Sequence, residues 1–217
     1  VIKQTIYMNK NIVSNKKNVT YRNLLLWGPP GTGKTMFARQ LQRKSNLEWV
    51  EITGSSLFTK GAGISAIDEL FEWANKSKKG LLIFIDEADS LLPDRTKIDP
   101  NSDNYKIINH FLNYLGTKSS KFMIVMSTNH KIVFDAAMRR RIHDSIQLPL
   151  PGLTERVRLL ELYAQKVLFD ERQNNEEFVI AAHKEVNNAM IQSIAGQTDG
   201  FSNDEVATLI ETIKSLA

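Results

Sequence analysis

Strand-like and helix-like patterns alternate over residues 21–150 and only helical patterns follow, so the sequence predicts an α/β chain. The expected architecture is a doubly wound parallel sheet with a small C-terminal all-helical domain. Three observations carry this expectation. Leu81–Asp86 and Phe122–Thr128 are almost wholly apolar, as strands covered by helices on both faces of a parallel sheet must be. Before the first of these runs apolar residues recur at helical spacing in Ile64, Ile67, Phe71 and Ala74, and between the two runs again in Ile107, Phe111, Leu112 and Leu115. Finally, Leu148-Pro149-Leu150-Pro151-Gly152 punctuates the chain with two prolines and a glycine, and the character of the sequence changes there.

In order, residues 1–20 are rich in Lys and Asn, show little periodicity and read as an N-terminal arm. The α/β domain spans 21–150. Its strands are expected at Arg22–Trp27, Trp49–Thr53, Leu81–Asp86, Phe122–Thr128 and Ser145–Leu148. Its helices are expected at Gly33–Lys44, around Ile64–Ala74, around Ile107–Leu115 and, briefly, at Phe134–Arg141. The helical domain, 151–217, contains Leu153–Phe169, Glu176–Ala195 (in one piece or two) and Asn203–Leu216. Trp27, Trp49 and Trp73 are expected to pack the sheet against its helices.

The chain has 217 residues, 42% of them hydrophobic, enough for a substantial core. No apolar run approaches the roughly 20 residues needed to span a bilayer. With no cysteine there is neither a disulfide framework nor a thiolate metal site, which suits an intracellular compartment. His110, His130, His143 and His183 show no metal-ligand spacing. The net charge of +4 is dispersed apart from Lys76-Ser77-Lys78-Lys79 and Arg139-Arg140-Arg141, so charge alone does not argue for nucleic acid. Asn18-Val19-Thr20 fits a glycosylation pattern, but nothing else points to secretion. The chain begins at Val1 without a signal or transit pattern and reads as a piece of something longer.

Gly28-Pro29-Pro30-Gly31-Thr32-Gly33-Lys34-Thr35 fits the phosphate-loop pattern G-x-x-x-x-G-K-[ST] between a strand and a helix, the context that the pattern requires. Glycines permit backbone angles that aim N–H groups at phosphate oxygens, and the helix start adds unsatisfied N–H groups and the positive end of a dipole. Lys34 reaches the β- and γ-phosphates, and the Thr35 hydroxyl ligates Mg²⁺. A P-loop NTPase fold follows. Pro30, Gly31, Thr32, Gly33, Lys34, Thr35 and Met36 are the candidates for nucleotide binding, together with Asp86.

Leu81–Ile85 runs into Asp86-Glu87-Ala88-Asp89. Strand ends are where open α/β sheets bind ligands. Asp86 is placed to hold Mg²⁺ with Thr35, and Glu87 to deprotonate the attacking water. The alternative is that these acids cap a short helix, and Asp89 is the better candidate for that cap or for a supporting role. Ile124–Thr128 ends in Asn129, which is placed to hydrogen-bond the water or the γ-phosphate; an asparagine that merely starts a turn is the alternative. In Arg139-Arg140-Arg141 an arginine offered across a subunit boundary stabilises the transferring phosphoryl group. A solvated basic helix end is the competing account.

With these four elements in order before a helical domain, the chain resembles AAA+ ATPases. Gly28–Thr35 is similar to Walker A, Ile83–Glu87 to Walker B, Asn129 to sensor 1, and Arg141 or Arg140 to the arginine finger, Arg141 being preferred because Arg141-Ile142 closes the motif best. Within that superfamily it most resembles the ATPase family AAA domain-containing protein three group. Tyr21–Leu24, Leu70–Ser77, Gly80–Asp89, Ser120–Met123 and Leu148–Gly152 carry that likeness. The resemblance implies ATP and Mg²⁺, a ring of copies expected to be a hexamer, and a helical lid. It also implies a protein or membrane-associated substrate chosen by regions outside this chain. The implied location is the mitochondrial inner membrane with the ATPase domain in the matrix; the superfamily alone implies a cytoplasmic one.

Some residues depart from the family pattern. The loop Phe58-Thr59-Lys60-Gly61 carries its aromatic one place early, which puts polypeptide threading in doubt and leaves Phe58 open between core and pore. Gly200-Phe201-Ser202-Asn203 is followed by Asp204 where the group has Arg, so a second sensor acting on the phosphates is not expected there. Two other functions compete. An initiator or clamp-loader ATPase acting on nucleic acid is disfavoured by Glu155, Glu161, Asp170, Glu171, Glu176 and Glu177 in the helical domain, and a nucleotide-gated scaffold by the intact Lys34, Asp86 and Glu87.

Overall fold

The computed structural model describes residues 5, 20–58, 63–91, 98–130, 140–142, 144–170, 172 and 174–216. These fall into two units, Val1–Gly28 with Lys34–Gln147 and Pro29–Gly33 with Leu148–Ala217.

The first unit holds a five-stranded sheet of β1 (Leu24–Trp27), β2 (Glu48–Thr53), β3 (Leu81–Asp86), β4 (Phe122–Thr128) and β5 (Asp144–Gln147). The order is β2-β3-β4-β1-β5 and every neighbouring pair is parallel. Parallel neighbours need crossovers, and α1 (Lys34–Ser45), α2 (Gly63–Lys76) and α3 (Asp103–Gly116) lie in the connections between the first four strands. β1 starts two residues later than expected, and the two residues before it, Arg22 and Asn23, tie strands through their side chains. Arg22 makes a two-pronged pair with Asp144 (3.0 and 3.1 Å), and the buried Asn23 accepts from Ile124 N–H at 3.1 Å.

β3 is fully buried from Leu81 to Ile85, and all of β4 is buried. Against them pack Ile67, Phe71 and Ala74 of α2 and Ile107, Ile108, Phe111, Leu112 and Leu115 of α3. Phe71 stacks on Tyr114 with centroids 4.1 Å apart, and Trp49 stacks on Phe84 at 5.4 Å. Trp27 and Phe58 pack on the edge of the same core, while residues 59–62 lie outside the described residues. Trp73 corrects the sequence expectation: it is 50% exposed. Two positions beyond Phe71 is about 200° around a helix, which turns Trp73 away from the sheet. Ile64, in the first turn of α2, is also exposed. The short helix expected at Phe134–Arg141 lies mostly outside the described residues, and Arg140 and Arg141 form a turn.

The second unit contains α4 (Leu153–Val167), α5 (Glu176–Glu185), α6 (Asn188–Gln197) and α7 (Asn203–Leu216). The helical stretch expected over Glu176–Ala195 is two helices, because the Asn187 side chain caps a new one by accepting Met190 N–H at 3.0 Å. Leu160, Ala164, Leu168, Ile191, Ala195, Val206 and Ile210 form its core. Arg156, buried in this unit, is satisfied by the carbonyls of Ala195 (3.1 Å) and Pro151 (3.0 Å) and by the Asp199 carboxylate at 3.0 Å.

Candidate functional site

Because the sheet is parallel, β1, β3 and β4 end on one edge, and the register Ile85↔Met126 puts Asp86 beside Ser127. Both Asp86 oxygens are engaged. Oδ1 accepts the Ser127 hydroxyl and, at 2.9 Å, the Glu87 N–H; Oδ2 accepts the Thr35 hydroxyl at 3.3 Å. Thr35 and Asp86, the two candidate metal ligands, are therefore in contact. Lys34 is only 7% exposed and donates from Nζ to the Gly28 carbonyl at 2.8 Å. Met36, in the first turn of α1, is 57% exposed.

Glu87 is exposed and has φ 49°, ψ 46°, a left-handed backbone that is uncommon outside glycine and costs on the order of 1–2 kcal/mol. Its side chain caps nothing in the 3₁₀ turn Ala88–Ser90 that follows. Gly54, which drew no attention in the sequence, makes room for this turn: a Cβ there would lie 2.7 Å from the Glu87 carbonyl oxygen and 2.4 Å from Ser90 Oγ. Asp89 is not a helix cap here; its carboxylate takes the Thr128 hydroxyl, which also accepts His130 N–H at 3.1 Å. Asn129, between those two anchored residues, is exposed.

The arginines lie elsewhere. Asn23 Nδ2 donates to the carbonyls of Leu115 (2.8 Å) and Arg141 (3.4 Å), and the Arg141 side chain covers Gly116, where a Cβ would sit 2.9 Å from Nε. The pairings Leu24↔Val125, Phe84↔Val125 and Ile83↔Ile124 make Asn23 level with Ile83, three residues short of Asp86. At strand rise this is about 10 Å along the sheet. Arg140 is exposed.

The loop Pro29–Gly33 belongs to the second unit, where it meets the start of α7. Gly31 (φ 70°) and Gly33 (φ 85°) take left-handed angles. A Cβ on Gly31 would lie 2.7 Å from Ser202 Oγ, so close approach as well as torsion requires glycine. Asp204 N–H donates to the Gly31 carbonyl at 3.3 Å, and Asn203 Nδ2 to the Thr32 carbonyl at 3.2 Å. Thr32 in turn donates its hydroxyl to the Pro29 carbonyl at 2.9 Å. Ser202 and Glu205 form a capping box: Glu205 N–H donates to Ser202 Oγ at 3.3 Å, and Ser202 N–H to Glu205 Oε2 at 2.7 Å. The N–H and hydroxyl of Ser202 hold the Glu205 carboxyl below the usual carboxylate range. The spacing Ser-x-x-Glu was the available sequence signal for this cap. Elsewhere in the unit an apolar hollow of about 410 Å³ is lined by Leu168, Phe178, Val186, Met190 and Ile213 and contains none of the candidate residues.

Residues 24–150 match the family described as ATPase family associated with various cellular activities (AAA). The chain is 37% identical over 198 residues to ATPase family AAA domain-containing protein 3A of Homo sapiens, covering 90% of this chain and 34% of that protein. It is 42% identical over 147 residues to the 3A homolog of Drosophila melanogaster, covering 67% of this chain and 24% of the relative. The chain thus spans about a third or less of the length of these curated relatives. Among solved structures, the FIGL-1 AAA domain in complex with ADP superposes with a TM-score of 0.72 at 26% identity, covering 95% of this chain and 65% of that one. With an all-parallel sheet, a glycine loop opening α1 and acids ending β3, the chain belongs to the AAA family of ATPases.

Proposed function

We propose that this chain is the ATP-hydrolysing module of a ring-forming protein that uses turnover to remodel a protein or membrane-associated partner. One observation carries the hydrolytic reading: Asp86 is held at both oxygens by Thr35, Ser127 and the Glu87 N–H, while Glu87 beside it is left exposed on a strained backbone. Fixing one acid and leaving its neighbour uncommitted is what divides metal binding from base catalysis. The paired hydroxyl and carboxylate of Thr35 and Asp86 are hard oxygen donors, a set that suits Mg²⁺ sharing its remaining positions with water and phosphate. When bound, Mg²⁺ neutralises charge developing on the phosphate oxygens.

The chain's own groups have these roles. Main-chain N–H groups from Gly31 to Thr35 bind the phosphates, with Pro30 and Met36 beside the nucleotide. Lys34 exchanges the Gly28 carbonyl for the outer phosphates. Glu87 takes a proton from the attacking water, and Asn129 orients that water. Arg141, or Arg140, acts on the site of a neighbouring copy; the separation of about 10 Å between the level of Asn23 and Asp86 supports a role in trans. The ring is expected to be a hexamer and the location mitochondrial, with this module in the matrix, as the resemblance to the domain-containing protein three group implies. The substrate is selected by regions outside this chain.

The test uses two variants. Lys34→Ala should lose ATP binding. Glu87→Gln should bind ATP normally while turnover falls about 10²- to 10⁴-fold, the usual scale for a general base. Unchanged turnover in Glu87→Gln would remove Glu87 from the chemistry.

A further inference from the structure

A trans peptide points its C=O and the next residue's N–H in opposite directions, and the described residues contain no cis peptide. Whatever fixes a carbonyl of the glycine loop therefore fixes the following N–H. Two successive carbonyls are fixed in this way from α7. The Gly31 carbonyl accepts Asp204 N–H, which turns the Thr32 N–H away from α7. The Thr32 carbonyl accepts the Asn203 carboxamide, which does the same for the Gly33 N–H.

We propose that Asn203 is a positioning residue for nucleotide phosphate: its carboxamide locks the Thr32–Gly33 peptide so that the Gly33 N–H is presented to the phosphates before they arrive. The inference rests on the nucleotide-binding role proposed above for the loop. The Thr32 hydroxyl does not contribute to this contact, since it is turned to the Pro29 carbonyl at 2.9 Å. The α7 end of the contact is rigid, because the Ser202–Glu205 capping box fixes the first turn. Ser202 fixes the loop's other side by its approach to Gly31. The acid at 204 takes part through its main-chain N–H, which explains how an aspartate is accommodated beside the loop. A glycine at 203 would supply no such donor.

The experiment measures equilibrium binding of ADP and of AMP, together with steady-state ATP turnover, for the full chain as wild type, Asn203→Leu, Asn203→Gln and Lys34→Ala. Losing one positioning hydrogen bond predicts that Asn203→Leu weakens ADP about 3- to 10-fold. KM for ATP should rise by a similar factor, with kcat at saturation within about 2-fold, as expected for lost uniform binding. AMP, which offers the loop fewer phosphates, should be weakened less, so the ADP-to-AMP preference falls; Asn203→Gln, which keeps the donor, should restore part of it. A thermal melt separates this from damage to α7, which would lower the midpoint and weaken both nucleotides alike. An unchanged ADP-to-AMP preference in a folded Asn203→Leu protein overturns the proposal. If Lys34→Ala also leaves ADP binding intact, the nucleotide site itself is wrong; if only the Asn203 result fails, the site stands and the brace does not.

Discussion

At the scale of single residues, Glu87 shows a conflict between stability and chemistry. Its left-handed backbone costs on the order of 1–2 kcal/mol, and glycine would relieve that strain while adding about 0.5–1 kcal/mol of unfolded-chain entropy. Glu87→Gly should therefore melt slightly higher than wild type, by the equivalent of about 0.5–1 kcal/mol, while its ATP turnover falls about 10²- to 10⁴-fold. A lower midpoint would mean that the exposed carboxylate has a stabilising partner after all. Tyr21 offers a pH-dependent case. Burial pushes its phenol up to about 12, so the folded state keeps a proton that the unfolded chain releases near 10. The stability from keeping Tyr21 neutral is complete below pH 10 and is lost as pH rises from 10 to about 12. Alkaline denaturation followed by circular dichroism should be shallower over that range in Tyr21→Phe.

At the scale of elements, the clearest strands in the sequence were those buried on both faces. β3 and β4 begin and end where their apolar runs do, and α7 starts at its cap. β2, with alternating partial exposure, and β1, opened by two residues with tying side chains, were less sharply bounded. The glycine loop and the acids after β3 were legible because their spacing lies within a few consecutive residues. Their partners were not: Ser127 reaches Asp86 through strand register, Gly54 makes room for Glu87 across β2 and β3, and Asn203 meets Thr32 across 171 positions of sequence. Such pairings depend on which strands are neighbours, and no local pattern encodes that. Trp73 looked like core because it is large and apolar, yet α2 buries only the stripe of Ile67, Phe71 and Ala74. Asn23 is the element-level anchor, joining α3, β4 and the turn holding Arg141. Asn23→Leu strands a buried N–H and two carbonyls, and should lower stability by about 1–3 kcal/mol in denaturant titrations. A loss below 0.5 kcal/mol would show that these groups find other partners.

At the scale of the whole molecule, assembly is the property on which the role of Arg141 depends. If Arg141 serves a neighbour, specific activity should climb steeply with protein concentration. Arg141→Ala should be inactive alone, yet mixing it with the equally inactive Lys34→Ala should recover part of the activity, because each restores a half-site that the other lacks. A silent mixture of demonstrably co-assembled variants would sink the trans role. The covalent path adds another constraint. The chain passes between its two units at Gly28–Pro29, at Gly33–Lys34 and at Gln147–Leu148. A protease nick after Gln147 therefore releases no clean fragment of the second unit: five of its residues remain threaded into the larger piece, cut off from the helix that gripped them. The helical portion is thus a poor candidate for exchange between relatives as a detachable cassette, since any graft must import both sides of that grip.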